Sequence, residues 1–250
     1  MKKYGLLLSG GIHPKCNYSR YANDLGLAYE TLINALGYPQ KNIAVFYANG
    51  ETINYLDHMI PTQNATLKNL EKAFSHYKKE LTLNDEFFFV VSNHGGKEKN
   101  GIIYLWEKEY ISLDNITSYL NQLPCKKIVI LGQCFAGNIF ERNHQNTIMI
   151  SANQKDLPSY GMYDTINIIR NDKAFTCTYD EFLYHFFSYL QNTHLEDAHS
   201  STIPNPEKVK DAFAYAYKHD RYNPSHADYY HLSKRISTKV SEIPQYKEYR

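Results

Sequence analysis

Neither sign of charge is in excess in this chain. Its 250 residues carry 27 Lys and Arg against 26 Asp and Glu, a net charge of +1, and no long block of like charge. A dedicated nucleic-acid binder needs a basic face to meet phosphates, so no nucleic-acid partner is expected. Long apolar runs are missing too. No segment approaches the roughly 20 apolar residues of a membrane helix, so no membrane partner is expected. The opening MKKYGLLLSGG sets two lysines before an apolar stretch. That stretch, Leu6 to Leu8, falls short of the about 7–15 residues of a secretory h-region, and the expected location is cytoplasmic. The Asn-x-Ser/Thr triplets at Asn17, Asn64 and Asn115 then read as chance. No G-x-G-x-x-G or G-x-x-x-x-G-K-[ST] loop is present to cradle a phosphate. Cysteine is scarce, with four residues, Cys16, Cys125, Cys134 and Cys177. No two form a C-x-x-C pair, so neither a structural zinc site nor any other metal or cofactor is expected. In a chain this size outside the secretory route the thiols are expected reduced.

What is present suits a globular core. Hydrophobic residues make up 43% of the chain, and its 23 tyrosines fit boundaries between core and water rather than a site. Short continuous apolar runs alternate with amphipathic stretches. Strands are expected at Tyr4 to Ser9, Ile43 to Tyr47, Phe87 to Ser92, Lys127 to Gly132 and Thr147 to Ser151, with Ile102 to Trp106 a hairpin arm. Helices are expected at Tyr21 to Leu36, Thr66 to Leu81, Asp114 to Leu120 (capped by Asp114) and Glu207 to His219. Residues 51 to 64 read as a loop. Such alternation predicts an α/β fold with a mostly parallel sheet and helices on both faces. Parallel strands joined by crossovers end on one sheet edge, and ligands bind outside those ends.

That edge collects the chemistry. His13, Cys16 and Arg20 follow the first strand. Asn93-His94-Gly95-Gly96 follows the third, Gln133-Cys134 the fourth, and Ser151-Ala152-Asn153 the fifth. An imidazole and a thiol thus meet at one edge although forty positions separate them in sequence. A thiolate is favoured by a nearby imidazole and by a helix N-terminus, and a short helix from Ala136 to Arg142 is expected just after Cys134. His94 can take the thiol proton and return it to a leaving amine. The amides of Gly95 and Cys134 are natural oxyanion donors. Ser151 and Ala152 are candidates for binding substrate backbone. Taken singly, a cysteine after a strand is more often a small buried hydrophobe. The joint placement outweighs that reading. Cys16, Cys125 and Cys177 read as structural, and His219, His226 and His231 as scattered surface residues.

The stretches VVSNHGG and IVILGQCFAG resemble the His-Gly and Gln-Cys boxes of the caspase-like cysteine peptidases. NYSRYANDLGLAYETLINALGYPQKNIAVFYANG is similar to the opening of legumain-type peptidases, above all their bacterial relatives. YLW before the short helix and YDEFLYHF at Tyr179 to Phe186 fit the same group, so that the resemblance spans roughly residues 4 to 190. It implies a caspase-like α/β/α sandwich. It also implies a cysteine endopeptidase cutting after Asn or Asp through a thioester acyl-enzyme, with His94 and Cys134 catalytic and Gly95 the oxyanion glycine. Arg20 and Gln133 are implied as substrate-binding residues. Arg20 would grip the side chain before the cut bond, in place of the bland reading as a surface arginine on a first helical turn, where a cation opposes the dipole. Asn17 is implied to orient His94, with one residue more between it and Arg20 than the family pattern has. The partner would be a protein or peptide substrate. A strictly Asp-directed protease, a transpeptidase and a non-catalytic binding module are the alternatives.

Residues 1–191 are expected to form the peptidase domain. Residues 192–250 are expected to be an extension packed on it, with a polar loop from Asn192 to Pro206 ahead of the last helix.

Overall fold

A computed structural model of the chain describes residues 1–191, 208–226 and 241–250. The main elements are, in order, β1 (Lys3–Ser9), α1 (Ser19–Glu30), β2 (Ile43–Tyr47), α2 (Leu67–Glu80), β3 (Glu86–Val91), α3 (Leu113–Asn121), β4 (Lys126–Leu131), β5 (Thr147–Ser151), α4 (Glu181–Gln191), α5 (Lys208–His219) and β6 (Gln245–Tyr249). The strands pair in the order β6-β5-β4-β3-β1-β2. All are parallel except β6, which runs antiparallel to β5. Most of these bounds agree with the expected runs to within two residues.

Continuous apolar strands arise because both sheet faces are covered. Leu6 and Leu8 of β1, with Phe87, Phe89 and Val91 of β3, enter one core beside Leu70 and Phe74 of α2 and Ile116 and Leu120 of α3. Leu7, Phe88 and Val90 alternate into the opposite core, beside Leu25 and Ala28 of α1, Phe182 and Phe186 of α4 and Ala212 of α5. Phe87, Phe88 and Phe89 are all fully buried. Each contributes about 1.5–3 kcal/mol relative to exposure. The result is a three-layer α/β/α sandwich.

Several local expectations give way. The predicted helix to Leu36 becomes α1 plus one wide turn over Thr31–Ala35, ended at Gly37 with φ +68°. Thr31 donates its hydroxyl hydrogen to the carbonyl of Leu27, a back-bond that loosens a helix. The expected loop 51–64 contains a small hairpin, Ile53–Tyr55 against His58–Ile60. Ser112 caps α3 in place of Asp114, its Oγ accepting from the Asn115 amide at 3.1 Å. A hairpin the sequence did not announce, Ile166–Arg170 with Lys173–Cys177, turns at Asn171 and Asp172, both at positive φ. It is tied to α1 by Arg170, whose guanidinium forks onto the buried Glu30 carboxylate. Glu207, His231 and the expected loop from Asn192 to Pro206 lie outside the described residues. No described helix is long and apolar enough to cross a membrane.

The order of the strands decides where a site can form. The chain runs outward from β1 to β2 on one side and from β1 to β3, β4 and β5 on the other. The loops after β1 and β3 therefore part at a crevice, with β4 next to it, which is the switch point where such sheets bind ligands.

Candidate active site

His94 lies three residues past the end of β3. Its backbone is fixed on both sides. The Tyr104 amide donates to the His94 carbonyl at 3.2 Å, and Asn93 reaches both neighbouring loops, accepting from the Gly11 amide at 3.0 Å and donating to the Tyr104 carbonyl. The imidazole Nε2 lies 2.9 Å from the Cys16 carbonyl. A carbonyl only accepts, so Nε2 carries the hydrogen and Nδ1 is left as the base. Tyr18 and Tyr21 hold the ring edge-to-face at centroid distances of 5.1 and 5.3 Å. Burial pushes the imidazole below its ordinary value, the Cys16 carbonyl works the other way, and the nearby Arg20 and His13 push it further down. His94 is therefore neutral at neutral pH.

Cys134 sits on the turn after β4. Phe135 next to it takes a left-handed conformation, φ +61°, costly for a bulky residue and found where the surroundings enforce it. Asn153 clamps that turn from both ends, donating to the Gln133 carbonyl at 3.0 Å and accepting from the Gly137 amide at 3.4 Å. The expected helix after the thiol is a short 3-10 segment, Ala136–Glu141, a weaker dipole than a full helix would give. The sulfur is held instead by Ser159. The Ser159 amide donates to Sγ at 3.3 Å, and the thiol points back at the Ser159 carbonyl at 3.7 Å. Burial pushes the thiol above its ordinary value, against the hydrogen bond from the Ser159 amide, and Asp180 raises it further, while Arg20 and the Gly95 amide pull it down. The resting state is a neutral thiol beside a neutral imidazole. No hydrogen bond joins the two side chains, His94 being held by the Cys16 carbonyl and Cys134 by Ser159.

The first glycine after His94 is required by contact. A Cβ on Gly95 would stand 2.1 Å from the Cys134 carbonyl oxygen, a backbone atom, whereas one on Gly96 would meet the movable end of the Glu98 side chain, 2.2 Å from Oε2. Without a side chain the Gly95 backbone lies on the thiol turn, with its amide toward Sγ.

Arg20, on the first turn of α1, lies over the rings of Tyr18 and Tyr21, 4.8 Å from each centroid. Its one hydrogen bond among the described residues is a long 3.4 Å contact from Nη2 to the Tyr21 hydroxyl, and Nε is buried without a partner. The fork is held by stacking, with most of its donors uncommitted. Its charge reaches Cys134, His94 and two buried carboxyls, Asp24 and Asp180.

Four other expected site residues stand elsewhere. Asn17 does not reach His94: its Nδ2 donates to the Tyr47 hydroxyl at 2.9 Å, and the neighbouring Cys16 carbonyl holds the imidazole instead. Gln133 is wholly buried behind the turn, its carboxamide unpartnered among the described residues. Ser151 is buried with its hydroxyl donating to the Asn153 carbonyl, and the Ala152 amide donates to the Leu131 carbonyl inside the sheet. Each strand end turns inward before it reaches the edge.

A buried acidic network under the thiol was not foreseen. Ser92 donates to Asp24 at 2.5 Å, and the Asp180 amide donates to the same carboxyl at 2.9 Å. Asp180 and Glu242 both stand on the Ser159 hydroxyl, at 2.8 and 2.9 Å. Burial first, then the mutual proximity of the carboxyls, raises Asp24 to about 8; Asp180 rises to about 6, mainly through burial. A sequence signal existed for Asp180, inside the quoted YDEFLYHF, and for Asp24, inside the quoted NYSRYAND stretch, and none for Glu242. Among the described residues no group of three or more His, Cys, Asp or Glu side chains is placed to hold a metal ion.

The family model described as the peptidase C13 family matches residues 47–245, a span that includes His94 and Cys134 but neither Arg20 nor Asn17. No curated protein matches. The crystal structure of protein GSU0716 from Geobacter sulfurreducens superimposes with a TM-score of 0.59 at 12% identity, over 100% of this chain and 94% of that one. The likeness shows the fold, the α/β/α sandwich with a mostly parallel central sheet that the caspase-like resemblance implied.

Proposed function

The chain belongs to the peptidase C13 family, and from that premise we propose that it is a cysteine endopeptidase of the legumain type that cuts protein or peptide chains after Asn or Asp, with Asn favoured. The observation that carries this reading is the approach of the Gly95 backbone to the Cys134 turn, an approach a single Cβ would block. It supports an oxyanion site between the Gly95 and Cys134 amides, directly over the nucleophile.

In this reading His94 Nδ1 takes the Cys134 proton as the sulfur attacks the scissile carbonyl. A C–S bond forms, and the Gly95 and Cys134 amides meet the developing oxyanion. The C–N bond then breaks as His94 returns the proton to the leaving amine. Water, activated by the same imidazole, hydrolyses the thioester. A neutral resting pair suits this order, because proton transfer accompanies attack and does not precede it. Arg20 meets the side chain before the cut bond. Its field already includes the Asp24 and Asp180 carboxyls. A carboxamide offers an acceptor to the guanidinium and a donor to an acidic surround, whereas a carboxylate meets repulsion from the ionised Asp180.

A positional peptide-library digest tests the reading. Cleavage concentrated after Asn, weaker after Asp and absent from Cys134→Ala is the expected result. Cleavage after other residues would remove the specificity, and cleavage by the variant would remove the nucleophile.

A further inference from the structure

The Ser159 hydroxyl stands 2.8 Å from Asp180 Oδ2 and 2.9 Å from Glu242 Oε1. A hydroxyl has one hydrogen to give. It satisfies one of these oxygens; the other contact is a hydrogen bond only if that carboxyl brings its own proton. One of the pair is therefore protonated in this geometry. Asp180 has outside support as an anion: the Leu183 amide donates to its other oxygen at 3.0 Å, and the Arg20 charge reaches it. Glu242 is wholly buried, and besides Ser159 its carboxyl meets, among the described residues, only the Tyr160 amide, at 3.2 Å. Asp220, Asp180, Glu181 and the Tyr222 phenol lie around this region. Arg221, the cation of the adjoining turn, is committed to Glu181 at 2.7 Å and to Asp164 at 2.8 Å. The proton belongs on Glu242, which donates to Ser159, while Ser159 donates to Asp180.

We propose that Glu242, eight residues from the end of the chain, is a positioning residue for Cys134. As an acid it clasps the hydroxyl of Ser159 and the amide of Tyr160, and thereby holds the Ser159 amide and carbonyl on the thiol. Its own segment is anchored by the Glu242 amide, which donates to the Tyr222 carbonyl at 3.0 Å. Tyr222 in turn stacks on Tyr160 at 4.8 Å and donates its hydroxyl hydrogen to the Gly161 carbonyl at 2.9 Å. Ionisation sets the Glu242 carboxylate against Asp180 and Asp220, and the clasp opens. The sign follows from burial, which raises this carboxyl well above its ordinary range. The clasp is complete below the unfolded-state value of about 4.3 and weakens as pH rises through the folded-state value.

The role of Cys134 as nucleophile is presupposed in the kinetic half of the test and not in the other. Backbone amide exchange over residues 158–162, corrected for intrinsic rates, is followed from about pH 6 to about pH 9 in the full chain and in Glu242→Gln. A carboxamide donates to Ser159 and accepts from Tyr160 at every pH. Once Glu242 ionises, wild-type protection should fall about tenfold per pH unit, and the variant should keep it. In parallel, the alkaline decline of kcat/KM should move up by at least about one unit in Glu242→Gln, while Glu242→Ala should lose activity at all pH. Exchange profiles that coincide in wild type and Glu242→Gln would overturn the proposal, even if the enzyme cleaves as expected. Inactive wild-type protein with divergent exchange profiles would overturn the peptidase reading and leave the clasp standing.

Discussion

His94 and Cys134 meet at one edge, but different kinds of group hold them. The imidazole is fixed by a backbone carbonyl, two tyrosine rings and the amide of Tyr104. The rings are pinned by packing, and Tyr21 titrates far above physiological pH because it is buried. The thiol is fixed by Ser159, which rests on two carboxyls that both bind protons more tightly than usual. One half of the site is thus indifferent to pH near neutrality except through His94 itself, and the other is sensitive to it. The difference teaches where each half can be perturbed. A backbone carbonyl cannot be deleted by substitution, so the imidazole side fails only through His94 or its wholesale displacement. The thiol side can be loosened from a distance.

The largest effect is expected at the sulfur. Cys134→Ala should remove cleavage entirely, since the proposed covalent step is carried by this thiol, and should leave the melting temperature nearly unchanged, since the side chain is half-buried and its removal costs few core contacts. Peptide cleavage and thermal melting on one preparation check both halves of that statement. Next comes His94→Ala, expected to lower kcat/KM by roughly 10²–10⁴, and to slow alkylation of Cys134 at neutral pH. Unchanged alkylation would mean that another group, with His13 the first candidate, takes the thiol proton. In the wild type the acid limb should report His94. Burial depresses its ionisation, so activity should persist as pH falls past the ordinary imidazole value of 6.5 and fail only below it. An acid limb above 6.5 would contradict the buried, neutral ring.

The unequal legibility of the two halves has the same physical root. β1 to β5 were readable because parallel strands covered on both faces must be apolar throughout, as in Phe87 to Val91. Once that order was fixed, His94 and Cys134 fell at one edge by topology alone. The supports of the thiol were not readable. Ser159, Asp180 and Glu242 come from three segments lying 25, 46 and 108 positions after Cys134, and no periodicity links a buried carboxyl to a hydroxyl so far away. Gln133, Ser151 and Ala152 depart from expectation for one reason: the strand ends that carry them are buried, the Ser151 hydroxyl donating to the Asn153 carbonyl and the Ala152 amide to the Leu131 carbonyl. Asn153, next in line, does reach the nucleophile turn, but from behind.

Arg20→Ala comes third in size. Charge-assisted hydrogen bonds to an Asn or Asp side chain are worth about 1.5–3 kcal/mol each, so kcat/KM should fall roughly 10–200-fold for each bond lost. Alkylation of Cys134 by a small reagent should change much less, because that reagent does not use the guanidinium. Lysine should rescue poorly, since it can neither fork nor lie flat on Tyr18 and Tyr21. Wild-type cleavage in Arg20→Ala would detach Arg20 from the recognition of substrate.

The smallest expected effect separates a side-chain clamp on His94 from a backbone one. Asn17 is the residue that the legumain resemblance implies as the orienter of the imidazole, yet its amide donates to Tyr47 at 2.9 Å and its Oδ1 is buried without a partner. Asn17→Ala removes the bond to Tyr47 and also relieves that unpartnered oxygen. The net loss of stability should be at most about 0.5–1.5 kcal/mol, the worth of one ordinary hydrogen bond. The Cys16 carbonyl, one residue earlier, stays on Nε2 so long as the turn from His13 to Asn17 holds. That turn is made by backbone, the Cys16 and Asn17 amides both donating to the His13 carbonyl at 2.9 and 3.1 Å. The acid limb of kcat/KM should therefore not move, and the rate should fall less than about tenfold, under 1.4 kcal/mol. Tyr47→Phe should reproduce the stability change and leave the rate alone. A hundredfold fall in Asn17→Ala with normal melting would place the orienting bond on the asparagine side chain, and the contrast between a pH-indifferent imidazole clamp of backbone atoms and a titrating thiol clamp would have to be redrawn.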